Sequence, residues 1–121
     1  MTHGRIPKRG DIWHFDPNPI VGRALKDKHY CVVITVEKLN NALGVAICCP
    51  ISTVAAGARS AGVTVAVGPM DTERGDLRGV VLCHQVRALD LNGRGATFET
   101  VAEEGLIQEV IFKLTNIIDP Q

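Results

Sequence analysis

Up to about residue 100 the apolar positions of this chain come in short β-branched runs separated by glycine, proline and charged turns; beyond that they change to helical spacing. Arg9 to Phe15 opens with a basic glycine turn and continues as a short strand, which Asp16-Pro17-Asn18-Pro19 ends. The segment from there to Lys28 reads as a loop, and a loop that long in a small domain tends to be functional or disordered. Tyr30 to Val36 (YCVVITV) has the composition and length of a buried strand. Glu37 to Asn41 predicts one short helical turn, and Gly44 to Ile51 returns as a strand stopped at Pro50. Val54 to Gly62, rich in Ala, Gly and Ser, predicts a mobile connection before the alternating strand Val63 to Val67. Met70 to Arg78 is a charged turn. Gly79 to Arg87 (GVVLCHQVR) is the longest strand candidate, apolar first and polar at its end. Asn92 to Gly95 turns the chain, and Thr97 to Glu99 adds an edge strand.

The last element predicts an amphipathic helix. Thr100 and Glu103 stand at capping-box spacing, and Leu106, Ile107, Val110, Ile111, Leu114, Ile117 and Ile118 recur at steps of three and four. Five or six short strands without alternating long helices exclude a parallel α/β sheet. They imply a mainly β fold, a small antiparallel barrel or half-barrel closed by this helix.

Composition adds bounds. At 121 residues and 13.0 kDa the chain suits one domain spanning residues 1–121. With 45% apolar and 21% charged residues it reads as a soluble globular protein. No apolar run approaches the ~20 residues of a membrane-spanning helix, so no membrane partner is expected. The polar, basic start lacks the apolar core of a secretory signal, and a cytoplasmic location is the expectation.

The formal net charge is zero, which argues against bulk coating of nucleic acid, but the charge is unevenly spread. Arg5, Lys8, Arg9, Arg23, Lys26 and Lys28 lie before Tyr30, against Asp11, Asp16 and Asp27; from Glu99 onward acids dominate. Two readings stand open, a solvated surface or a basic face that steers a phosphate polymer. The four cysteines, Cys31, Cys48, Cys49 and Cys83, sit in strand-like apolar runs, where buried reduced thiols act as small apolar residues. Cys48 and Cys49 are adjacent, so on a strand they point to opposite faces.

Two separated stretches carry a resemblance. Arg9-Gly10-Asp11-Ile12-Trp13, followed by Phe15-Asp16-Pro17 and Gly22, is similar to the opening of the MazF/PemK (ChpB-like) toxins. Gly79 to Arg87, with Asp90 just after, resembles their late core strand. Between them Pro50-Ile51-Ser52 resembles a family Pro-Ile-Thr, and Ala58-Arg59-Ser60-Ala61-Gly62 resembles Phe-Ala-Arg-x-Ala-Gly. The matches run in order from Lys8 to Ile118. The resemblance implies an SH3-like barrel of the CcdB/MazF/PemK type with a C-terminal helix, and a homodimer. It further implies the toxin component of a type II toxin–antitoxin system, cleaving single-stranded RNA at short motifs with no metal or other cofactor. The implied partner is a cognate antitoxin whose acidic C-terminal tail covers the RNA groove.

Metal-free RNA cleavage needs a base for the 2′-hydroxyl proton, an acid for the leaving 5′-oxygen, and cations or donors around the phosphorus. The resemblance places His29 where the family has a catalytic Arg, and Ser52 where it has a catalytic Thr. Ser keeps the hydroxyl donor and acceptor. His29 is the larger departure, since Arg is always charged and forks onto phosphate, whereas His is partly charged near neutrality and shuttles a proton. Retained acid–base function and a weakened enzyme both fit it. Arg23, in a Gly22-Arg23-Ala24 that lacks the family's acid, is a candidate for the lost phosphate contact, beside Lys28 and Arg59. Leu82 and His84 occupy places where the resemblance puts an acid–base Arg and Asp in some relatives; Leu82 cannot do that chemistry, and His84 reads either as an acid–base or RNA-contacting residue or as a buried, hydrogen-bonded strand-end residue. Gln85 and Arg87 match the family, and on one strand they share a face lining the RNA groove. An internal Arg87 to Asp90 pair is the other reading of Arg87, and Trp13 reads as core packing or as a base-stacking ring. Two further functions remain: a dead RNA binder or gyrase-directed CcdB-like toxin on the same barrel, and a zinc module using Cys31, Cys83 and His84.

Overall fold

The computed structural model describes residues 4–15, 29–53 and 62–120. In chain order the elements are β1 (Asp11–Phe15), β2 (His29–Val33), α1 (Glu37–Leu43), β3 (Ala46–Ser52), β4 (Thr64–Val67), β5 (Gly79–Leu82), β6 (Arg87–Leu89), β7 (Thr97–Val101) and α2 (Glu104–Ile118). Short 3-10 turns occupy Pro69–Asp71 and Cys83–Gln85. The expected loop before Lys28 and the expected connection after Val54 fall on residues 16–28 and 54–61, outside the described residues.

The strands form one antiparallel sheet in the order β4-β5-β3-β2-β1-β7, with β6 also paired to β3. The sheet is mainly antiparallel β with a C-terminal helix, as expected, but its ladder is open, ending at β4 and β7. Alternation along the strands gives two cores. Ile12, Tyr30, Val32, Cys49, Ile51, Val65 and Val81 point to the face covered by α2, which buries Leu106, Ile107 and Val110 there. Trp13, Phe15, Cys31, Val33, Ala46 and Cys48 point to the other face, against Leu89, Leu91 and Ala96. Cys48 and Cys49 therefore part to opposite faces, as the strand period requires.

Three sequence expectations need correction. β3 runs through Pro50 to Ser52. On one side its partner changes from β5 to β6 across Cys49 and Pro50, leaving a gap in the ladder where a missing N–H is tolerated. The long strand from Gly79 to Arg87 is two strands separated by the Cys83–Gln85 turn. The capping box at α2 does not form: Glu103 is the cap residue and makes no side-chain cap bond. Thr100 instead lies buried in β7, where its hydroxyl accepts from the Arg74 backbone N–H at 3.2 Å.

The N-terminal segment is tied down by two buried polar side chains. Asn40 of α1 donates to the carbonyls of Pro7 (2.8 Å) and Thr35 (2.9 Å). Asp11, 1% exposed, accepts from Arg5 Nε and Nη2, from the Lys8 backbone and from the Trp13 indole. A buried carboxylate is stable only with this kind of saturation. α1 ends at Gly44, whose φ of 79° is the left-handed conformation glycine adopts without strain, and its N–H closes onto Asn40 O.

Candidate functional site

β1, β2, β3 and β5 bring their ends together at one rim of the sheet. β1 ends and β2 begins with Phe15 paired to His29, and β3 ends with Ser52 paired to Val80. The β2–β3 ladder pairs Tyr30 with Ile51, so its next step sets His29 opposite Ser52. Directly opposed residues share a face with Cβ atoms about 5 Å apart. His29 and Ser52, far apart in the chain, are thus cross-strand neighbours on the face away from α2. The described chain leaves and re-enters the sheet at this same rim, at Phe15, His29 and Thr53.

His29 is half-buried, and its Nε2 is buried without a hydrogen-bond partner among the described residues. Its ring tilts against Phe15 with centroids 6.3 Å apart. An unpaired buried ring nitrogen is uncommon, because leaving a polar group dry and unbonded costs on the order of 1–3 kcal/mol. Arg94 approaches from the turn before β7, its guanidinium 5.8 Å from the centre of the Phe15 ring. This exposed cation was missed in the sequence. Its only signal was its place in the Gly93-Arg94-Gly95 turn, which carries no address until β7 folds beside β1.

Arg87 lies on the same face, opposite Cys48, four residues along β3 from Ser52 and so roughly 13 Å away. It is exposed and makes no ion pair among the described residues. The Arg87 to Asp90 pair does not form; Asp90 accepts from the Gly93 backbone at 2.9 Å. His84 and Gln85 sit on the Cys83–Gln85 turn, both exposed, with His84 Nε2 and Gln85 Nε2 3.4 Å apart. Because this turn interrupts the strand, the expected alternation that put Gln85 and Arg87 on one strand face does not apply, and His84 is not buried. Arg23, Lys28 and Arg59 lie outside the described residues.

Other candidates resolve into structure. Trp13 is 2% exposed, donates to Asp11 at 3.2 Å and meets Phe98 edge-on, so it packs and does not stack on a base. Cys31 and Cys83 belong to cores on opposite faces of the sheet, so the zinc set is not brought together. Among the described residues no three His, Cys, Asp or Glu are placed to hold a metal, and no helix is long and apolar enough to cross a membrane.

Residues 8–118 match the family model of PemK-like, MazF-like toxins of type II toxin–antitoxin systems. The chain belongs to this family. It is 30% identical over 112 residues to the endoribonuclease toxin ChpB of Escherichia coli K12, covering 93% of this chain and 94% of that protein. It is 25% identical to the endoribonuclease PemK of Escherichia coli, over 92% of this chain and 81% of the relative. Among solved structures it resembles MazF of Deinococcus radiodurans, with a TM-score of 0.75, 23% identity and coverage of 95% of this chain and 98% of that one. The PemK/MazF membership accounts for the sheet, its C-terminal helix and the order of the motifs, and it leaves the roles of His29 and Ser52 to the chemistry of this chain's own rim.

Proposed function

We propose that this PemK/MazF-family chain is an endoribonuclease toxin that cleaves single-stranded RNA at the rim formed by Phe15, His29 and Ser52, without a metal or other cofactor. The observation that carries this reading is the unpaired Nε2 of His29 beside Ser52, on a face that also bears Arg87 and Arg94. A base must be close to the proton it takes and not already engaged. RNA binding must first uncover the buried Nε2 of His29; that nitrogen then accepts the 2′-hydroxyl proton, the 2′-oxygen bonds to phosphorus, and the bond from phosphorus to the 5′-oxygen breaks, that oxygen taking its proton from water. The product ends are a 2′,3′-cyclic phosphate and a 5′-hydroxyl. The Ser52 hydroxyl donates to a non-bridging phosphate oxygen, and Arg94 and Arg87 hold flanking phosphates. His84 and Gln85 extend this contact set along the strand of RNA, and Arg23, Lys28 and Arg59, outside the described residues, are proposed as further RNA contacts on the resemblance alone.

The relatives support the same reading, since both curated ones are named endoribonucleases; that weighs against a gyrase-directed or catalytically dead toxin. Deinococcus radiodurans MazF has been solved with MazE, and a mycobacterial endoribonuclease with its cognate antitoxin. A homodimer with an antitoxin whose acidic C-terminal tail lies on this cationic face, in the cytoplasm, is the corresponding proposal here.

The test is incubation of the purified protein with mixed-sequence RNA in EDTA, followed by analysis of fragment ends. Expected are 2′,3′-cyclic phosphate termini at a short common motif, and a loss of about 100-fold or more in rate for His29→Ala. No fragments from the wild type would sink the activity; fragments undiminished in His29→Ala would move the site elsewhere.

A further inference from the structure

The β3–β5 ladder pairs Ile51 with Val81, and continued inward it brings Cys83 opposite Cys49. The β3–β6 ladder nevertheless pairs Cys48 with Arg87. The surplus chain between the two ladders is the Cys83–Gln85 turn, which therefore stands directly over Cys49. Both side chains are fully buried in the same core under α2, facing each other across β3 and the turn, and each thiol is the leading influence on the acidity of the other.

The pair is polarised. The neighbouring Cys49 thiol, aided by the Lys113 charge, pulls the Cys83 thiol below its ordinary value against the opposing effects of burial and of Glu109. The proximity of Cys83, followed by burial, pushes the Cys49 thiol up. Cys83 is thus the better nucleophile and Cys49 the proton holder. Cys31 and Cys48 are diagonal neighbours in the core on the opposite face, but both belong to uninterrupted stretches of the β2–β3 ladder and carry no turn.

We propose that Cys49 and Cys83 are a peroxide-responsive redox pair whose disulfide ties the Cys83–Gln85 turn to β3. The Cys83 thiol gives up its proton, its thiolate attacks one oxygen of hydrogen peroxide, the O–O bond breaks, and the departing hydroxide takes up that proton as water, leaving a sulfenic acid. The Cys49 sulfur attacks that sulfur, the S–O bond breaks, and the departing hydroxide takes the Cys49 proton as a second water. Two thiols and one peroxide give one disulfide and two waters. Because both sulfurs are buried, reaction waits on opening of the turn and is slow, over minutes to hours.

His84 and Gln85 ride on this turn and Arg87 follows it, so drawing Cys83 onto Cys49 displaces side chains assigned above to RNA. A displacement of about 1 Å in such a site costs up to roughly 100-fold in rate. This consequence rests on the RNA reading; the disulfide itself does not.

The test treats the full chain with hydrogen peroxide or with dithiothreitol, unfolds it in an alkylating reagent, and maps the peptides beside an RNA cleavage assay. Expected is a Cys49–Cys83 link that is lost in Cys49→Ser and Cys83→Ser, kept in Cys48→Ser, and accompanied by a drop in cleavage of tenfold or more that dithiothreitol reverses. Four alkylated cysteines after peroxide, or a link between Cys31 and Cys48 alone, overturns the pair. A Cys49–Cys83 link with unchanged cleavage overturns the switch. Should the reduced wild type cleave no RNA, the nuclease reading fails while the peptide map still decides the pair.

Discussion

Gly79 is pressed against the backbone of Ser52: a Cβ added to it would lie 2.5 Å from the Ser52 carbonyl oxygen and 3.2 Å from the carbonyl carbon. The first residue of β5 thus has no room for a side chain, and the position of Ser52 depends on that. Gly79→Ala is expected to destabilise the fold by about 1–3 kcal/mol through overpacking, and to lower RNA cleavage because Ser52 must shift. Chemical denaturation beside a cleavage assay checks both; unchanged stability shows that β3 yields there at little cost.

Asp11 gathers four donors in a site from which water is excluded. Asp11→Ala strands the Trp13 indole and the Lys8 N–H and is expected to cost about 2–4 kcal/mol. Arg5→Ala is expected to cost less, on the order of 1 kcal/mol, because the Arg5 side chain is 35% exposed and its ion pair is partly screened by solvent. Urea melts of the two variants give the order, and an Arg5→Ala loss equal to that of Asp11→Ala contradicts it.

Arg94 reaches over Phe15 from outside and takes no part in an ion pair among the described residues. Arg94→Ala is expected to leave the thermal midpoint within a few degrees, to weaken binding of a single-stranded RNA, and to reduce the salt slope of that binding by about 0.7. Fluorescence anisotropy at several salt concentrations reads this. A slope that does not change removes Arg94 from the interface.

Tyr30 is 8% exposed, and burial, followed by the negative charge of Glu99, raises its phenol above the usual 10.0. The folded chain then holds this proton more tightly than the unfolded one. The resulting stability is fully present below about pH 10 and is lost as pH rises from there toward the folded value. Thermal midpoints of the wild type and Tyr30→Phe from about pH 8 to 11 are expected to diverge at the alkaline end, the wild type falling more steeply. Parallel curves refute the assignment.

Much of the fold was legible because local patterns and tertiary packing agree in it. The β-branched run at Tyr30 to Val33, the alternation at Thr64 to Val67 and the three- and four-residue spacing from Leu106 to Ile117 each have one good way to bury an apolar face. Those patterns, with the motif order from Lys8 to Ile118, determined a mainly β chain with a terminal helix and its family. Legibility ended where the choice depended on a partner distant in the chain. Whether Gly79 to Arg87 made one strand or two was decided by β3, which accepts β5 and β6 at different registers and forces the Cys83–Gln85 turn between them. Thr100 went to a backbone donor of Arg74 instead of capping α2, because β7 had to reach Val101 before the helix could begin.

The site divides the same way. Residue types and resemblance alone made His29 and Ser52 candidates. Only the β2–β3 register set them side by side, and only the approach of β7 to β1 brought Arg94 over Phe15. A side chain's chemistry is written in its identity, whereas its neighbours follow from strand pairing that buries both faces of the sheet at once.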